Sequence, residues 1–427
     1  MTTVAVAAHQ GQGRIATRVI ELVALAPPII AAVFVATFAR SLPLTDELVF
    51  VVNAARLQGA TIEQLPAIVP TLHWSIAEHL IIVPVLLYST LGPLFTFDSR
   101  VTIAATLALL GLLLFVLWRT RLVTGWALVA ASVVIFNPSQ YMTFMWGQQV
   151  TFTLSTVFAI TGLAVANGIE DGQPFLRRAV VGIGMVVLGV LSSSAAAFAF
   201  PAAAVMFGLK RLRPRTKLAL VALFAAAFAV AGLILGRQNV QFFEMARLVY
   251  YLLAALGSAL VGGGVGLFEF GPSIEVILGA VLAILALVVF VVAVRQNRVD
   301  ALALPAALMT LSALCIAAIG LSRPYLGNWH LQLAVPGIVG LVAAISAVSI
   351  PSAARSVALA AILLPAAYGY YNGFATRGPD YAAYTAKVEA FTLAVANDPS
   401  KADGTFSVTP EAVAYLKAIG HPAFHSR

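Results

Sequence analysis

Two adjacent acids, Asp46 and Glu47, stand in "LPLTDELVFVV" (42–52) just beyond a long apolar run, in a chain of which only 10% is charged. A carboxylate at a water–lipid boundary can take the proton of a hydroxyl as that hydroxyl attacks an activated carbon, so Asp46 reads as a general base with Glu47 beside it. Pro43 and Thr45 also mark a helix start, where the same two acids would do no more than favour the positive end of the helix dipole. In "TLHWSIAEHLIIVP" (71–84), His73, Trp74, Glu78 and His79 fall within a few residues of one another. Asp46, Glu78 and His79 could hold a divalent cation, magnesium or manganese, but the spacing is not that of two histidines one helical turn apart around a glutamate. Ser75 with Glu78 also has the spacing of a capping box at a helix start. No other cofactor is suggested.

Three further stretches carry polar chemistry. In "NPSQYMTFMWGQQVTF" (137–152), Trp146 offers a ring on which a sugar can stack, and Gln148 and Gln149 offer amides to its hydroxyls; an aromatic belt and a helix cap account for them equally. "GLSRPYLGNWHLQ" (320–332) sets Arg323, Tyr325, Asn328, Trp329 and His330 together, and "GRQNVQFFEMAR" adds Arg237 and Arg247. A guanidinium is always charged and pairs with phosphate through two parallel hydrogen bonds, although an interfacial arginine reaching a bulk lipid headgroup gives the same pattern. "VGGGVG" (261–266) lacks the lysine and serine or threonine of a phosphate-binding loop and reads as close helix packing.

The elements that position these groups follow from composition. With 61% hydrophobic residues and a mean hydropathy of +0.97, the chain reads as all-α, a polytopic transmembrane helical bundle rather than a soluble domain. Spanning a hydrocarbon layer takes about 20 apolar residues in a helix. About eleven spans are expected, near 19–39, 100–118, 122–137, 148–166, 179–191, 192–208, 218–236, 274–294, 301–320, 330–350 and 354–370. The pair within 179–208 is short, and the break at "LSSSAAAFAFP" predicts two abbreviated helices in the bundle interior. The net charge of +8 gathers in short loops such as "KRLRPRTK" (210–217), the positive-inside pattern, so the charge argues for a membrane and not for a nucleic-acid partner.

That pattern expects a cytoplasmic N-terminus, an external C-terminus, and residence in the cytoplasmic membrane. Two apolar segments do not fit the alternation, 77–93 and 248–268, and are expected to lie on or dip into the outer leaflet. An amphipathic helix "DELVFVVNAARLQG" is expected on the membrane surface within the external segment 40–99. Residues 1–370 then form the membrane domain and 371–427 a small external tail, with one short helix after Thr409-Pro410. Cys315 is the only cysteine, so no intramolecular disulfide or cysteine-based metal site exists.

An acidic pair immediately after the first span, followed by a long external segment with surface helices, resembles the GT-C superfamily of integral membrane glycosyltransferases. A closer likeness is to a group of bacterial multi-spanning proteins in which an acidic pair is followed by a stretch like "HNEHR" and then a proline. Glu78-His79 with Pro84 matches, while Leu80 and Ile76 replace that group's arginine and first histidine. "MWGQQ" (145–149), "SRPY" (322–325) and "VTPEAVAYLKAIG" also look like that group, so the likeness covers most of the chain. The resemblance implies a polyprenyl-phosphate sugar donor used on the outer face of the cytoplasmic membrane, with Asp46 as base; a lipid-linked or cell-envelope glycan acceptor and surrounding membrane lipids are the other expected partners. A transporter or flippase of a lipid-linked glycan, a glycan ligase and an acyltransferase are the competing expectations. Transporters tend to keep their polar groups at the midplane, whereas here they gather at one rim.

Overall fold

Apolar runs with no water to satisfy their amides close those bonds within a helix. The structure, a computed structural model, describes residues 18–424 apart from 77–78, 236–244, 264, 267–272, 323–324, 403–405 and 407. In chain order the principal helices are α1 Arg18–Phe38, α2 Leu48–Leu57, α3 Ile82–Leu91, α4 Ser99–Arg119, α5 Trp126–Ile135 and α6 Val150–Asn167. They continue with α7 Leu176–Val190, α8 Ala199–Leu209, α9 Pro214–Leu235, α10 Met245–Val261 and α11 Ile274–Arg295. The last are α12 Ala303–Ser322, α13 Val335–Ala347, α14 Ser352–Asn372, α15 Gly378–Asn397 and α16 Pro410–Ala418. Two minimal antiparallel pairs accompany them, Ser75–Ile76 (β1) with His79–Leu80 (β2), and Val265–Gly266 (β3) with Tyr325–Leu326 (β4).

Among the described residues, nine helices are long and apolar enough to cross a membrane, as in a multi-pass membrane protein. They cover nine of the eleven expected spans. The other two are α7, of 15 residues, and α8, of 11, parted at Leu191–Ser193 as the serine run predicts, and neither reaches spanning length by itself. Central and peripheral helices are plainly sorted. The segment Asn328–Ala347, which contains α13, is 89% buried inside the protein, while α9 and α11 are 17% and 22% buried and turn most of their apolar surface outward. Small residues let backbones meet: a side chain at Gly162 would strike the Gly182 carbonyl, which lets α6 and α7 pack closely.

Three expectations need correction. Of the segment 248–268, the described helix does not lie on a surface: α10 is packed against α11, α12 and α14, with Tyr251, Ala254, Ala255 and Ala259 buried. Leu248 and Tyr251 rest on Gly320 near the end of α12, and β3 beyond the other end of α10 pairs with β4 just past that same helix. The last carbonyls of α10 stop inside protein and are met by side chains: Gln140 donates to Ala259 at 3.2 Å, Asn137 to Leu260 at 2.7 Å and Asn372 to Val261 at 2.9 Å. Second, α2 is no membrane-surface helix, because Leu48, Phe50, Val51, Val52, Asn53 and Ala54 are all buried beneath α3 and α16. Third, no helix starts at Ser75; that residue lies in β1, and α3 begins at Ile82.

Burial of α2 follows from a second apolar core. Leu42, Phe50, Val85 and Phe97 from the segment 40–99 pack with Val395, Val413, Leu416 and Ala423 from the C-terminal segment. The tail is therefore half of a cap rather than a separate appendage. Its short helix starts as expected, with Thr409 accepting from the Ala412 amide at 3.3 Å, and Arg56 on α2 pairs with Glu411 at 3.3 Å. The membrane helix reaches this cap without stopping, because α14 runs through a wide π turn at Gly373–Arg377 into α15.

The contact between α10 and α11 is tested by its glycines. A side chain at Gly257 would meet the Glu275 backbone, and one at Gly279 the Leu253 backbone, so Gly279→Val should cost about 1–3 kcal/mol through overpacking. Gly232 on α9 faces open space, so Gly232→Ala should be neutral or slightly stabilising. Thermal midpoints of the two variants in detergent check this, and equal behaviour would contradict the packing.

Candidate active site

The acidic pair lies in a single 3-10 turn, Thr45–Glu47, between α1 and α2. Thr45 takes a φ of +46°, and this strained entry turns Glu47 inward. Glu47 is fully buried, whereas Asp46 is half-buried. One carboxylate oxygen of Glu47, Oε2, accepts from the Leu44 amide at 2.8 Å and from the Ser99 hydroxyl at 2.7 Å. The other, Oε1, makes no well-formed hydrogen bond, although it is buried. Burial pushes this carboxyl up to about 7; hydrogen bonds from Ser99, Leu44, Gln148 and Gly147 act in the opposite sense.

Oε1 occupies the space that a side chain at residue 147 would need. A methyl group at Gly147 would collide with Glu47 Oε1 and with Thr102 Oγ1, so glycine is what allows these two to approach one another. Thr102 in turn bonds the Tyr88 hydroxyl at 3.0 Å. Behind those two hydroxyls lies a cavity of about 520 Å³ between α3 and α4, lined by Leu87, Leu91, Phe95, Val101, Ala105 and Leu112 among others. Its lining is almost wholly apolar, and Leu87, Leu91, Phe95 and Leu112 are exposed at the protein's lateral surface. An apolar groove thus runs up to one hydroxyl away from a buried acid.

The stretch after Gly147 forms the rest of the site. Gln149 is fully buried with neither amide atom hydrogen-bonded, and Gln148 is nearly so, with its Oε1 unmet. Unpaired buried amides are costly, so such groups await water or a ligand. Trp146 stands edge-on to Trp329, ring centres 6.2 Å apart, and Trp329 abuts His330 at 5.3 Å. His79 lies edge-on to Phe152 on α6, and its Nδ1 is 2.8 Å from the Ser194 hydroxyl and 3.3 Å from that of Ser193, at the break between α7 and α8. Gln332 donates to Thr153 at 2.7 Å and keeps its carbonyl oxygen unmet.

Other expected site residues play local parts. His73 is exposed, and only its backbone is held, in a two-way tie with Asn53 (2.9 and 3.0 Å). Trp74 donates to the Val69 carbonyl at 2.9 Å. Asn328 spends its side chain on scaffold, accepting from the Met142 amide at 3.1 Å and donating to the Ser139 carbonyl at 3.0 Å. Arg247 is half-buried on α10, and Tyr325 sits in β4 opposite Gly266. Glu78, Arg237 and Arg323 lie outside the described residues, so the set Asp46, Glu78 and His79 is incomplete there; among the described residues no three metal-ligating side chains gather. Sequence reasoning missed Ser99, Thr102, Tyr88, Ser193 and Gln332, whose partners lie 14 to 179 residues away.

No protein-family model, curated protein or solved structure matches the chain.

The raised carboxyl of Glu47 has a definite consequence for stability. Between the ordinary value of 4.5 and about 7 the native protein holds a proton that the unfolded chain gives up. This group's contribution is therefore complete below pH 4.5 and is lost as pH rises through 7, by roughly 3 kcal/mol in all. Glu47→Gln has no such dependence. Between about pH 4.5 and 8 the thermal midpoint of the wild type should fall relative to the variant, and a constant gap between the two would rule out a raised carboxyl.

Proposed function

We propose that the protein is a membrane glycosyltransferase that moves a sugar from a polyprenyl-phosphate donor to a lipid-linked or cell-envelope glycan acceptor on the outer face of the cytoplasmic membrane. The observation that carries this reading is the apolar groove between α3 and α4 ending at Tyr88 and Thr102, directly beside the buried carboxyl of Glu47. A hydrocarbon chain suits such a groove, and a reacting head would then arrive where a base with a pKa pushed up to about 7 is held, one oxygen without a well-formed hydrogen bond. On geometry Glu47 is the better base, and Asp46 beside it is the second carboxylate. The acceptor oxygen forms a bond to the anomeric carbon as the carbon–oxygen bond to phosphate breaks. The phosphate leaves with the electron pair, and the acceptor's proton passes to Glu47. A base on the face opposite the leaving group gives inversion.

Around that step the remaining residues divide by chemistry. Trp146 with Trp329, and the amides of Gln148 and Gln149, suit a sugar, and His79 and His330 flank them along the same stretch. Arg247, Arg237 and Arg323 are the phosphate candidates, since a departing phosphate needs only positive charge. A magnesium or manganese ion is not needed by this step. One observation favours a second reading, transport of a lipid-linked glycan: Glu47 is sealed from solvent and titrates near neutrality, as a proton-coupled carrier's acid would.

Purified protein supplied with labelled polyprenyl-phosphate sugars and a membrane glycan fraction separates these. Product should form, Glu47→Gln should lower turnover by at least about a hundredfold, and Asp46→Asn by less. Undiminished transfer by Glu47→Gln would remove it as base, and lipid movement across vesicles without covalent product would establish transport instead.

A further inference from the structure

The setting of Glu47 is completed from the opposite end of the chain. After α16, Gly420 takes a φ of +75° and turns the chain so that His421 is fully buried against the cap. Its Nδ1 accepts from the Ala423 amide at 3.1 Å, which leaves the proton on Nε2. That nitrogen donates to the Ser41 carbonyl at 3.2 Å. The same carbonyl accepts the Ser99 amide at 2.7 Å, and the Ser99 hydroxyl is the one held on Glu47 Oε2. Burial lowers the pKa of the imidazole, which favours the neutral ring with this single donor, while the Ser41 carbonyl and nearby Asp98 act in the opposite sense and Arg100 in the same one. The residues joined in this way are 380 positions apart, His421 to Ser41, and the turn Leu42–Glu47 begins at the next residue.

We infer that His421 is a positioning residue for Glu47: the C-terminal segment fixes the Ser41 carbonyl, the carbonyl fixes Ser99, and Ser99 holds the carboxyl in place. Nothing else in the cap reaches this carbonyl from the tail among the described hydrogen bonds. The inference deepens the functional reading in that it concerns the same acid, yet it needs only that Glu47 titrates.

The test uses the full-length protein and reads Glu47 itself. The protonation midpoint of its carboxyl is followed by infrared difference spectroscopy against pH, with Glu47→Gln identifying the band. Two substitutions separate the two ring nitrogens. His421→Gln can still donate to Ser41 from the position of Nε2, and His421→Asn can still accept from Ala423 but cannot reach Ser41. The midpoint should stay within about 0.2 pH units in His421→Gln and rise by about half a unit or more in His421→Asn, because a hydrogen bond favouring the ionised form is loosened. Ser99→Ala should raise it further, and adding His421→Asn to Ser99→Ala should move it no more, since both act through one hydroxyl. An unchanged midpoint in His421→Asn, equal shifts in the Gln and Asn variants, or additive shifts with Ser99→Ala would each overturn the inference. Thermal midpoints confirm that both variants are folded. The spectroscopic result stands whether or not sugar transfer is found, so failure of one reading is not failure of the other.

Discussion

Every backbone amide and carbonyl inside an apolar bundle must find a partner within the protein, and this constraint organises the whole polar end of the molecule. The long helices meet it unaided. The helices that stop or break inside do not, and the breaks after α5, after α7, after α10 and before α13 recruit side chains to their loose ends: Asn137, Gln140, Asn372 and Ser155, and Ser312, which donates to the Leu333 carbonyl at 2.8 Å. Polar residues collect at one end of the bundle first of all because the backbone is irregular there.

The same constraint separates scaffold from site. Asn328 and Asn137 spend both ends of their amides on the backbone and have nothing left for a ligand. Gln149 and Gln148 hold buried amide atoms with no such obligation, and Glu47 divides its two oxygens: Oε2 ties the turn between α1 and α2, and Oε1 faces the backbone at Gly147–Gln148 without a well-formed hydrogen bond. A group held firmly through one oxygen and only loosely through the other is well placed to be kept still while it reacts. Removing it would disturb both roles, which is why substitutions that keep its shape are more informative than truncations.

Much of the architecture was legible because hydropathy and length decide it. The serine run at 192–194 marked the break between two short helices, and Pro43-Leu44-Thr45 marked the start of the element bearing the acids. What could not be read was which of two adjacent acids is buried, since a one-residue step around a tight turn moves a side chain from the surface to the interior. Nor could α2 be recognised as covered, because the helix that covers it, α16, lies more than 350 residues on. Asn328 and Gln149 look alike in sequence, and only their partners tell them apart.

The π turn at Gly373–Arg377 sets a rotational phase between two halves of one rod. Below it α14 presents Ile362, Ala366 and Gly369 to the bundle; above it α15 presents Tyr381, Thr385 and Val388 to the protein interior. Each residue of a helix advances the face by about 100°, so the length of this turn is a gear setting rather than a spacer. A chain one residue shorter here would keep its hydropathy, its span and its caps, and would still wheel the upper half about a third of a circle away from the surface it was cut to fit.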